Sequence, residues 1–516
     1  MYRVGKSLFS IVFLVFIFVN CTEANIETYT QSNGQEALSY ILDNRLQILN
    51  AEYTNNFLTI KHNKGSIRID TKSLPFLYLN DRNYWTVNGI VLSNKLLTDD
   101  TGNHAFPTLE ISDDGFIVLD GIKSNYSMIN NQQKVFSFND SNICVIARLG
   151  LTLCFYNLNG NRKVVPIIES PNHILPDYFF DHVVEKELAA EDYVKNIPIL
   201  EQLSYVFFTD VHWGRNQKHS PAIIKHIVDY TSIDHVLFGG DVNTTHTKSV
   251  QETLDIGYLF HDAFSFLGSR LYCLYGNHDD NSTGQPSLTD RHLTEEQVYN
   301  YLQSQMTNVH YWDYYNFYYD DINTKTRFIC MDTGRLYNSK FREASYKTAQ
   351  FAVECLSNVP EGWHIVAASH IWTNLKDFKT GEIKESVYVR PIIEILENYN
   401  LRKKSVFSYG KNSFEYDFSD AGAIVEYCIG GHTHSDGVVL SEKGIPLINV
   451  TCDGQQEVAG GAPYKTGTIN EQCVTIVVND YHDKLVKIFH IGRGEDVTIN
   501  MWSSYSNAYN KIYKEK

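Results

Sequence analysis

The chain has 516 residues and a formal net charge of -16, with 43% hydrophobic and 20% charged residues. This length exceeds one ordinary hydrophobic core, so two or more domains are expected, and the composition is that of a folded globular protein. The acidic balance argues against long nucleic acid as a partner. It does not exclude a small phosphoester substrate, because a metal site could supply local positive charge.

Residues 1–24 are interpreted as a signal peptide. Two basic residues precede an apolar run over residues 8–19, and a polar stretch follows, which is the pattern of a secretory signal. The run is shorter than a comfortable membrane span. We therefore expect an extracytoplasmic protein: periplasmic, cell-surface or secreted. Membrane attachment would come only through lipid at Cys21, as in a bacterial lipoprotein signal, although Asn20 fits that signal poorly.

Residues 25–165 are predicted to form an N-terminal β-rich accessory domain. An amphipathic helical pattern over residues 35–50 is followed by short alternating runs between turn residues, which indicate strands. The string over residues 84–89 resembles accessory segments of exported bacterial lipoproteins. Cys144 and Cys154 flank a predicted hairpin and are candidates for a disulfide. No protein partner can be inferred from this part of the sequence.

Residues 166–200 contain four prolines with a charged helical piece between them, and they are interpreted as a connector. Strands and helices alternate over residues 201–500, with helices expected over 220–230 and 250–266, and residues 501–516 form a C-terminal tail. Such alternation predicts a layered α/β domain. The predicted strands are Tyr205–Phe208, His235–Phe238, Arg270–Tyr275, Thr326–Met331, His364–Ala368 and Ala423–Ile429.

All of these strands but one are followed by side chains that can bind a metal ion; the strand that ends at Met331 is the exception. The candidate side chains are Asp210, His212, Asp241, Asn277, His278, His370, His432 and His434. Any one of them alone has an ordinary explanation as a turn residue or a hydrogen-bonded core residue. Because ligands of α/β sheets bind beyond the carboxyl ends of the strands, the whole set predicts a metal site.

The order of the motifs Asp-x-His, Gly-Asp, Gly-Asn-His-Asp, His and Gly-His-x-His resembles the calcineurin-like metallophosphoesterase superfamily over about residues 200–495. The resemblance implies a four-layer α/β/β/α sandwich with a dinuclear metal centre. It implies one ion held by Asp210, His212 and His434, a second held by Asn277, His370 and His432, and Asp241 bridging both. Carboxylate and imidazole ligands suit two divalent or trivalent transition-metal ions such as Mn, Fe, Zn or Co.

In that scheme Asp241 and His278 carry the chemistry. A hydroxide that bridges the ions is expected to attack phosphorus in line, while His278 stabilises the phosphoryl group or protonates the departing alkoxide. Asp279 is expected to orient its neighbours without binding metal. The protein-phosphatase branch has a second carboxylate where this sequence has Thr244, so a phosphoprotein phosphatase built on that pair is doubtful.

Three further features have two interpretations each. Trp213 and Arg215 could line a substrate pocket or pack on the surface. The aromatic run over residues 311–319 could stack a base or a sugar, but a β-hairpin with aromatic cross-strand pairs is favoured.

We therefore predict an exported two-domain hydrolase of phosphoester bonds, with the choice between phosphodiesterase and phosphomonoesterase left open. The alternative is a surface binding protein whose β-rich domain carries the function and whose metal site is vestigial.

Overall fold

The computed structural model describes residues 27–504 except 30, 72–73, 81–82, 89, 93–104, 115, 128, 131–132, 135–142, 158–160, 169, 214–218, 245–246, 284–286, 335–340, 375–382 and 455–463. The predicted signal peptide, Cys21 and Arg215 lie outside the described residues. The chain divides into two compact units, residues 1–169 and 170–516. In the described part of the chain, no helix has both the length and the apolar character needed to cross a membrane.

The first unit contains one helix and fifteen strands among its described residues. They are β1 (Glu27–Tyr29), α1 (Gln31–Asp43), β2 (Ile48–Thr54), β3 (Phe57–His62), β4 (Gly65–Asp70), β5 (Phe76–Leu79), β6 (Trp85–Val87), β7 (Ile90–Val91), β8 (Leu109–Ile111), β9 (Phe116–Leu119), β10 (Ile122–Ser127), β11 (Ile129–Asn130), β12 (Gln133–Lys134), β13 (Ile143–Leu149), β14 (Thr152–Asn157) and β15 (Arg162–Pro166). Its larger sheets have the orders β1-β4-β3-β2 and β15-β14-β13-β5-β6-β7. This confirms a β-rich N-terminal region.

Two predictions for this unit need correction. The helix predicted over residues 35–50 is too long, because α1 ends at Asp43 and Arg45 adopts left-handed backbone with φ 53°. The chain then enters β2 at Ile48. The candidate Cys144–Cys154 disulfide is also wrong: Cys154 lies opposite Ala147 in the β13–β14 ladder and is a buried free thiol.

The second unit contains six α-helices and fifteen strands among its described residues. They are α2 (Asp177–Val194), β16 (Gln202–Phe208), α3 (Ser220–Tyr230), β17 (Val236–Phe238), α4 (Val250–Phe264), β18 (Leu271–Cys273), α5 (Glu295–Leu302), β19 (His310–Tyr311), β20 (Phe317–Asp321), β21 (Thr326–Met331), α6 (Phe341–Ser357), β22 (His364–Ser369), α7 (Arg390–Asn400), β23 (Lys404–Tyr409), β24 (Asn412–Asp417), β25 (Ile424–Gly430), β26 (Gly437–Leu440), β27 (Pro446–Asn449), β28 (Cys473–Asp480), β29 (Leu485–Gly492) and β30 (Val497–Asn500). The predicted strands and helices of this region correspond to these elements within a few residues.

Two mixed sheets form the centre of the second unit. One has the order β18-β17-β16-β28-β29-β30 and the other β19-β20-β21-β22-β25-β27-β26. They face each other through buried aromatic side chains: the Tyr272 and Tyr319 rings stack with centroids 3.8 Å apart, and the Tyr205 hydroxyl bonds to that of Tyr427 at 2.9 Å. Strands buried on both faces require the continuous apolar runs seen in the sequence.

Helices cover the outer face of each sheet. Helices α2 and α3 pack against β28, and α7 packs against β25. Trp372, Ile393 and Leu396 belong to the core that lies between the second sheet and its helices. The order helix, sheet, sheet, helix confirms the predicted four-layer sandwich. Residues 166–200, interpreted as a connector, contain α2, whose Phe179 and Val183 are fully buried.

Candidate metal centre

The predicted ligands lie at the carboxyl ends of the parallel strands, where the chain makes abrupt turns. Asp210 follows β16, Asp241 follows β17 and His432 follows β25. All three adopt left-handed backbone, with φ values of 54°, 64° and 69°. Only a few per cent of residues other than glycine adopt this conformation, with asparagine, aspartate and histidine enriched among them, and such residues cluster in turns and at functional sites. The turns aim the three side chains toward a common point.

Asp210, His212 and His434 form a first group whose ligand atoms all lie within 4.8 Å of one another. His434 Nε2 is 3.1 Å from both Asp210 Oδ1 and His212 Nε2. His212 is buried and its Nδ1 donates to the carbonyl of Asn243 at 2.8 Å. Because a carbonyl only accepts, the lone pair of His212 is on Nε2, which faces the group.

Asp241, His370 and His432 form a second group with ligand atoms within 4.8 Å of one another. His370 Nε2 is 3.1 Å from Asp241 Oδ2 and 3.8 Å from Asp210 Oδ1, so the two groups adjoin. His370 Nδ1 donates to the carbonyl of Gly239 at 2.7 Å, which again leaves Nε2 as the free nitrogen.

Asn277, the remaining predicted ligand, is buried next to this second group. The backbone N–H of its neighbour His278 donates to Asp241 Oδ1 at 2.8 Å. The Asn277 amide nitrogen donates to the hydroxyl of Thr283 at 3.3 Å. This orients Oδ1 as the acceptor that remains.

Three buried atoms show that the residues fit a pair of cations. Asp241 Oδ2, Asn277 Oδ1 and His370 Nε2 have no hydrogen-bond partner among the described residues, and the 3.1 Å contact between the first and third lacks hydrogen-bond geometry. A buried polar atom without a partner costs about 1–3 kcal/mol. Buried polar atoms left without partners beside the ligand groups are what a metal ion would satisfy.

The electrostatics of the group also favour positive charge. Burial alone would raise the pKa of the Asp210 carboxyl, but the imidazoles of His370 and His434 hold it well below its usual range. Burial opposes the charged form of His370, yet Asp241 and Asp210 raise its pKa to about 10. By contrast, burial lowers the pKa of His212 to about 4 and that of His432 to about 3. The last two imidazoles are therefore neutral near pH 7, as metal ligands must be, whereas His370 would have to release a proton from Nε2 to bind an ion.

His278 lies at the open side of the two groups. Its side chain is 23% exposed, its ring contacts the His212 ring with centroids 5.3 Å apart, and Nε2 is 3.8 Å from Asp241 Oδ2. Its Nδ1 has no hydrogen-bond partner among the described residues. No carboxylate of the described chain therefore pairs with Nδ1, in keeping with Thr244 at the position where the protein-phosphatase branch has an acid.

Asp279 lies directly behind the second group. It is fully buried, and its carboxylate accepts the backbone N–H groups of Gly276, Asp241 and Val242 at 2.8–3.1 Å. Burial, together with the Asp241 charge, raises its pKa to about 7. Asp279 thus holds the turns after β17 and β18 together, and it does not contribute a ligand atom to either group.

Trp213 has a packing role in the structure. Its ring meets those of Phe260 and Phe264 on α4 edge-on, with centroids 5.9 Å and 6.1 Å apart. Of its two interpretations, the structure supports packing.

Several groups that orient the ligands were not singled out from the sequence. Thr209 Oγ1 donates to Asp210 Oδ2 at 2.7 Å, and Thr451 Oγ1 donates to the carbonyl of His434 at 2.9 Å. The carbonyls of Gly239 and Asn243 fix two imidazoles. A backbone carbonyl leaves no signal in a sequence, since every residue has one. Thr209 could have been noticed, because it directly precedes the first carboxylate.

The fold and the two adjoining metal-ligand groups at the carboxyl ends of the parallel strands define a class of protein: a metallohydrolase of the α/β/β/α type. Residues 203–436 match the model of the calcineurin-like phosphoesterase family. The protein is accordingly a metallophosphoesterase, a hydrolase of phosphoric esters. The resemblance noted in the motifs is confirmed.

Three solved structures are similar to parts of the chain at low sequence identity. A dimetal phosphatase from Danio rerio is 12% identical with a TM-score of 0.36, covering 58% of this chain and 98% of that one. A predicted phosphoesterase from Streptococcus pneumoniae TIGR4 is 13% identical with a TM-score of 0.24, covering 58% and 97%. The phosphopantetheinyl hydrolase of Mycobacterium tuberculosis is 12% identical with a TM-score of 0.26, covering 49% and 91%. No curated protein matches the chain.

Proposed function

We propose that the second unit hydrolyses small phosphoesters with two transition-metal ions held by the seven predicted ligands. The observation that carries this proposal is the adjoining position of the two ligand groups, with His370 Nε2 of one group 3.8 Å from Asp210 Oδ1 of the other. A bound pair of ions would neutralise phosphoryl charge and lower the pKa of a water molecule. The identity of the ions is left to measurement.

The chain's own residues prepare the site for that chemistry. His212 and His370 are locked by backbone carbonyls, so their Nε2 atoms point inward before any ion arrives. Asp210 and Asp241 stay ionised because neighbouring imidazoles outweigh the effect of burial on their pKa values. Such pre-organisation removes most of the reorganisation that binding or catalysis would otherwise require.

We assign to His278 the contact with the phosphoryl group or the protonation of the departing alkoxide. It is the partly exposed imidazole of the cluster that also has an unused Nδ1 among the described residues. Burial lowers its pKa, so its ring is mostly neutral near pH 7. An anionic phosphoryl group next to it would favour the protonated form, which can donate a proton.

The substrate we propose is a small phosphomonoester or phosphodiester. The formal charge of -16 disfavours long nucleic acid. The lack of a carboxylate partner at His278 Nδ1 among the described residues disfavours a phosphoprotein phosphatase of the paired type. Rates on mono- and bis-nitrophenyl phosphate would separate the two ester classes.

Replacing the proposed bridging carboxylate tests the proposal. We expect Asp241→Asn to lose bound metal and to lower hydrolysis of a chromogenic phosphoester by about 10²–10³-fold or more. Asp229→Asn is the matched control, since Asp229 is a largely buried aspartate on α3 that pairs with Lys225 at 2.8 Å. Metal content and rate unchanged in Asp241→Asn would overturn the assignment.

We further propose that the protein acts outside the cytoplasm, on the basis of the signal-like residues 1–24. Mass spectrometry of the mature N-terminus from the native cell, with fractionation, tests this. Cleavage within this region, with or without added lipid mass at Cys21, would support export, and an intact N-terminus in the cytoplasmic fraction would contradict it.

A further inference from the structure

An aromatic pocket of about 330 Å³ lies beside β19 in the second unit. Its lining residues are Tyr299, Tyr311, Trp312, Asp313 and Tyr314. The Tyr299 ring, on α5, meets the rings of Tyr311 and Tyr314 at interplanar angles of 73° and 51°, with centroids 5.4 Å and 5.3 Å apart. Rings at such angles do not stack on one another. They form adjoining walls, and the predicted hairpin over residues 311–319 supplies most of them.

Two of the polar ring edges are already bonded elsewhere. The Tyr311 hydroxyl donates to the carbonyl of Gln303 at 2.6 Å, and Trp312 Nε1 donates to Glu354 Oε2 at 2.9 Å. These bonds fix the two rings and leave their carbon faces and edges as the surface of the pocket. Tyr314 is 42% exposed, so the pocket opens to solvent.

Among the described lining residues the charged group is the Asp313 carboxylate. Asp313 Oδ1 accepts the backbone N–H groups of Tyr315 and Asn316, and both oxygens accept from the Asn316 amide. All of these donors are neutral, so the negative charge remains. In the described part of the chain, no lysine, arginine or histidine nitrogen lies within 4 Å of Asp313.

The aromatic rings of the pocket also have no cation over them among the described residues. Among the described residues, no lysine or arginine lies over Tyr299, Tyr311, Trp312 or Tyr314, although such pairs occur elsewhere, as for Arg327 over Tyr318 at 4.1 Å. Aromatic faces carry negative potential and attract cations, most strongly cations that are weakly hydrated. The net charge of -16 also favours the approach of a cation.

We propose that this pocket binds a small quaternary ammonium group, with the aromatic rings around its methyl groups and Asp313 supplying the counter-charge. A trimethylammonium group fits because its surface is apolar and it carries a positive charge. It is also weakly hydrated, so its transfer from water into the pocket costs little free energy. A neutral sugar or base could donate hydrogen bonds to the carboxylate but would leave its negative charge uncompensated. The proposal does not depend on the phosphoesterase assignment, because it concerns other residues and is tested by binding alone.

The test compares choline with its carbon isostere, 3,3-dimethyl-1-butanol, on the full-length protein treated with chelator, by calorimetry or ligand-observed NMR. The isostere has the same shape without the charge. We expect choline to bind about tenfold more tightly, which is the size of a cation–π contribution. Equal binding of the two compounds, or binding of neither, would overturn the proposal.

Single substitutions in the pocket test whether choline binds there. Tyr314→Leu removes a ring and should weaken choline binding about tenfold, whereas Tyr314→Phe keeps the ring and should leave it nearly unchanged. Asp313→Asn keeps an oxygen for the two backbone N–H groups and should weaken binding about two- to fivefold. Tyr258→Leu, at another exposed tyrosine on α4, is the control. Choline binding unchanged by Tyr314→Leu would place the ligand elsewhere and contradict the assignment.

The ammonium group could belong to a free small molecule or to a lipid headgroup. Co-sedimentation with phosphatidylcholine vesicles, against phosphatidylglycerol vesicles as control, separates these sources. Binding of choline alone assigns a free ligand, and binding of the phosphatidylcholine vesicles as well assigns a headgroup.

Discussion

Both units of the chain place non-glycine residues in left-handed backbone, but the side chains have different surroundings. In the first unit, Asn55 and Asn56 have φ values of 53° and 65° and join β2 to β3 as an exposed two-residue turn. In the second unit, Asp241, His432 and His434 have φ values of 64°, 69° and 55° and point toward the ligand groups. The same conformation thus reverses a strand in one region and directs a ligand in the other.

The two regions differ in what offsets the free-energy cost of left-handed backbone. Asparagine tolerates left-handed backbone because its short side chain bonds locally, and two such residues match the twist of a hairpin. A residue strained at a functional site costs about 1–3 kcal/mol and persists only where its surroundings hold it. At the metal centre those surroundings include Asp279, which bonds three backbone N–H groups. Three sets of variants sharpen this comparison.

The largest effect is expected from removing the Asp279 carboxylate. Asp279→Ala would leave the buried N–H groups of Gly276, Asp241 and Val242 without an acceptor. We expect the free energy of unfolding to fall by about 3–5 kcal/mol and metal affinity to fall with it. Urea unfolding followed by metal analysis measures both. Asp280→Ala, which removes one bond to the Ser282 N–H, should cost about 1 kcal/mol, and equal losses in the two variants would refute the role of Asp279.

An intermediate effect is expected from adding a methyl group where the site has no room. A Cβ on Gly431 would overlap Thr209 Oγ1 and Asp210 Oδ2. We expect Gly431→Ala to destabilise the protein by about 1–3 kcal/mol and to lower metal content, because Asp210 must move.

Gly121 in the first unit differs from Gly431 because an added methyl group there would contact no other residue. Gly121 has φ 74° and nothing within 4 Å of its added Cβ. Gly121→Ala should cost about 1–2 kcal/mol through backbone strain alone, with metal content unchanged. Loss of metal in this variant, measured by elemental analysis, would break the distinction between the two regions.

The smallest effect is expected from relieving the strain of left-handed backbone at His434 and Asn56. Both His434→Gly and His434→Ala remove an imidazole and should lose metal, but the glycine variant should be more stable by about 1 kcal/mol because it adopts φ 55° freely. Asn56→Gly and Asn56→Ala should show the same difference with metal content retained. Thermal unfolding of the metal-free proteins measures it. If His434→Ala were as stable as His434→Gly, the backbone there would not be strained.

Much of the second unit could be predicted from its sequence, because buried parallel strands leave continuous apolar runs. Helix α3 was predicted at its observed bounds, and β21 likewise. The candidate ligands were identified because each follows such a run. Their convergence depends on strands that lie side by side, which periodicity does not report.

Other parts could not be predicted for physical reasons. Strand β28 pairs antiparallel with β16 across more than two hundred positions, and no local pattern specifies that neighbour. The charged helical piece expected in the connector is α2, between Pro176 and Pro198, but its charged residues gave no sign that Phe179 and Val183 would be fully buried. The sequence left Trp213 with two interpretations, pocket lining or packing, because its place after two ligands does not show how α4 packs against its ring.

The most direct test of the central claim is the number of metal ions that one chain binds. The metal-free protein would be loaded with Mn, Fe, Zn or Co, freed of excess ion by gel filtration and analysed for metal per mole of chain. Two adjoining ligand groups predict about two ions per chain. One ion, or none, would contradict a dinuclear centre, and none would leave the N-terminal unit as the place to look for function.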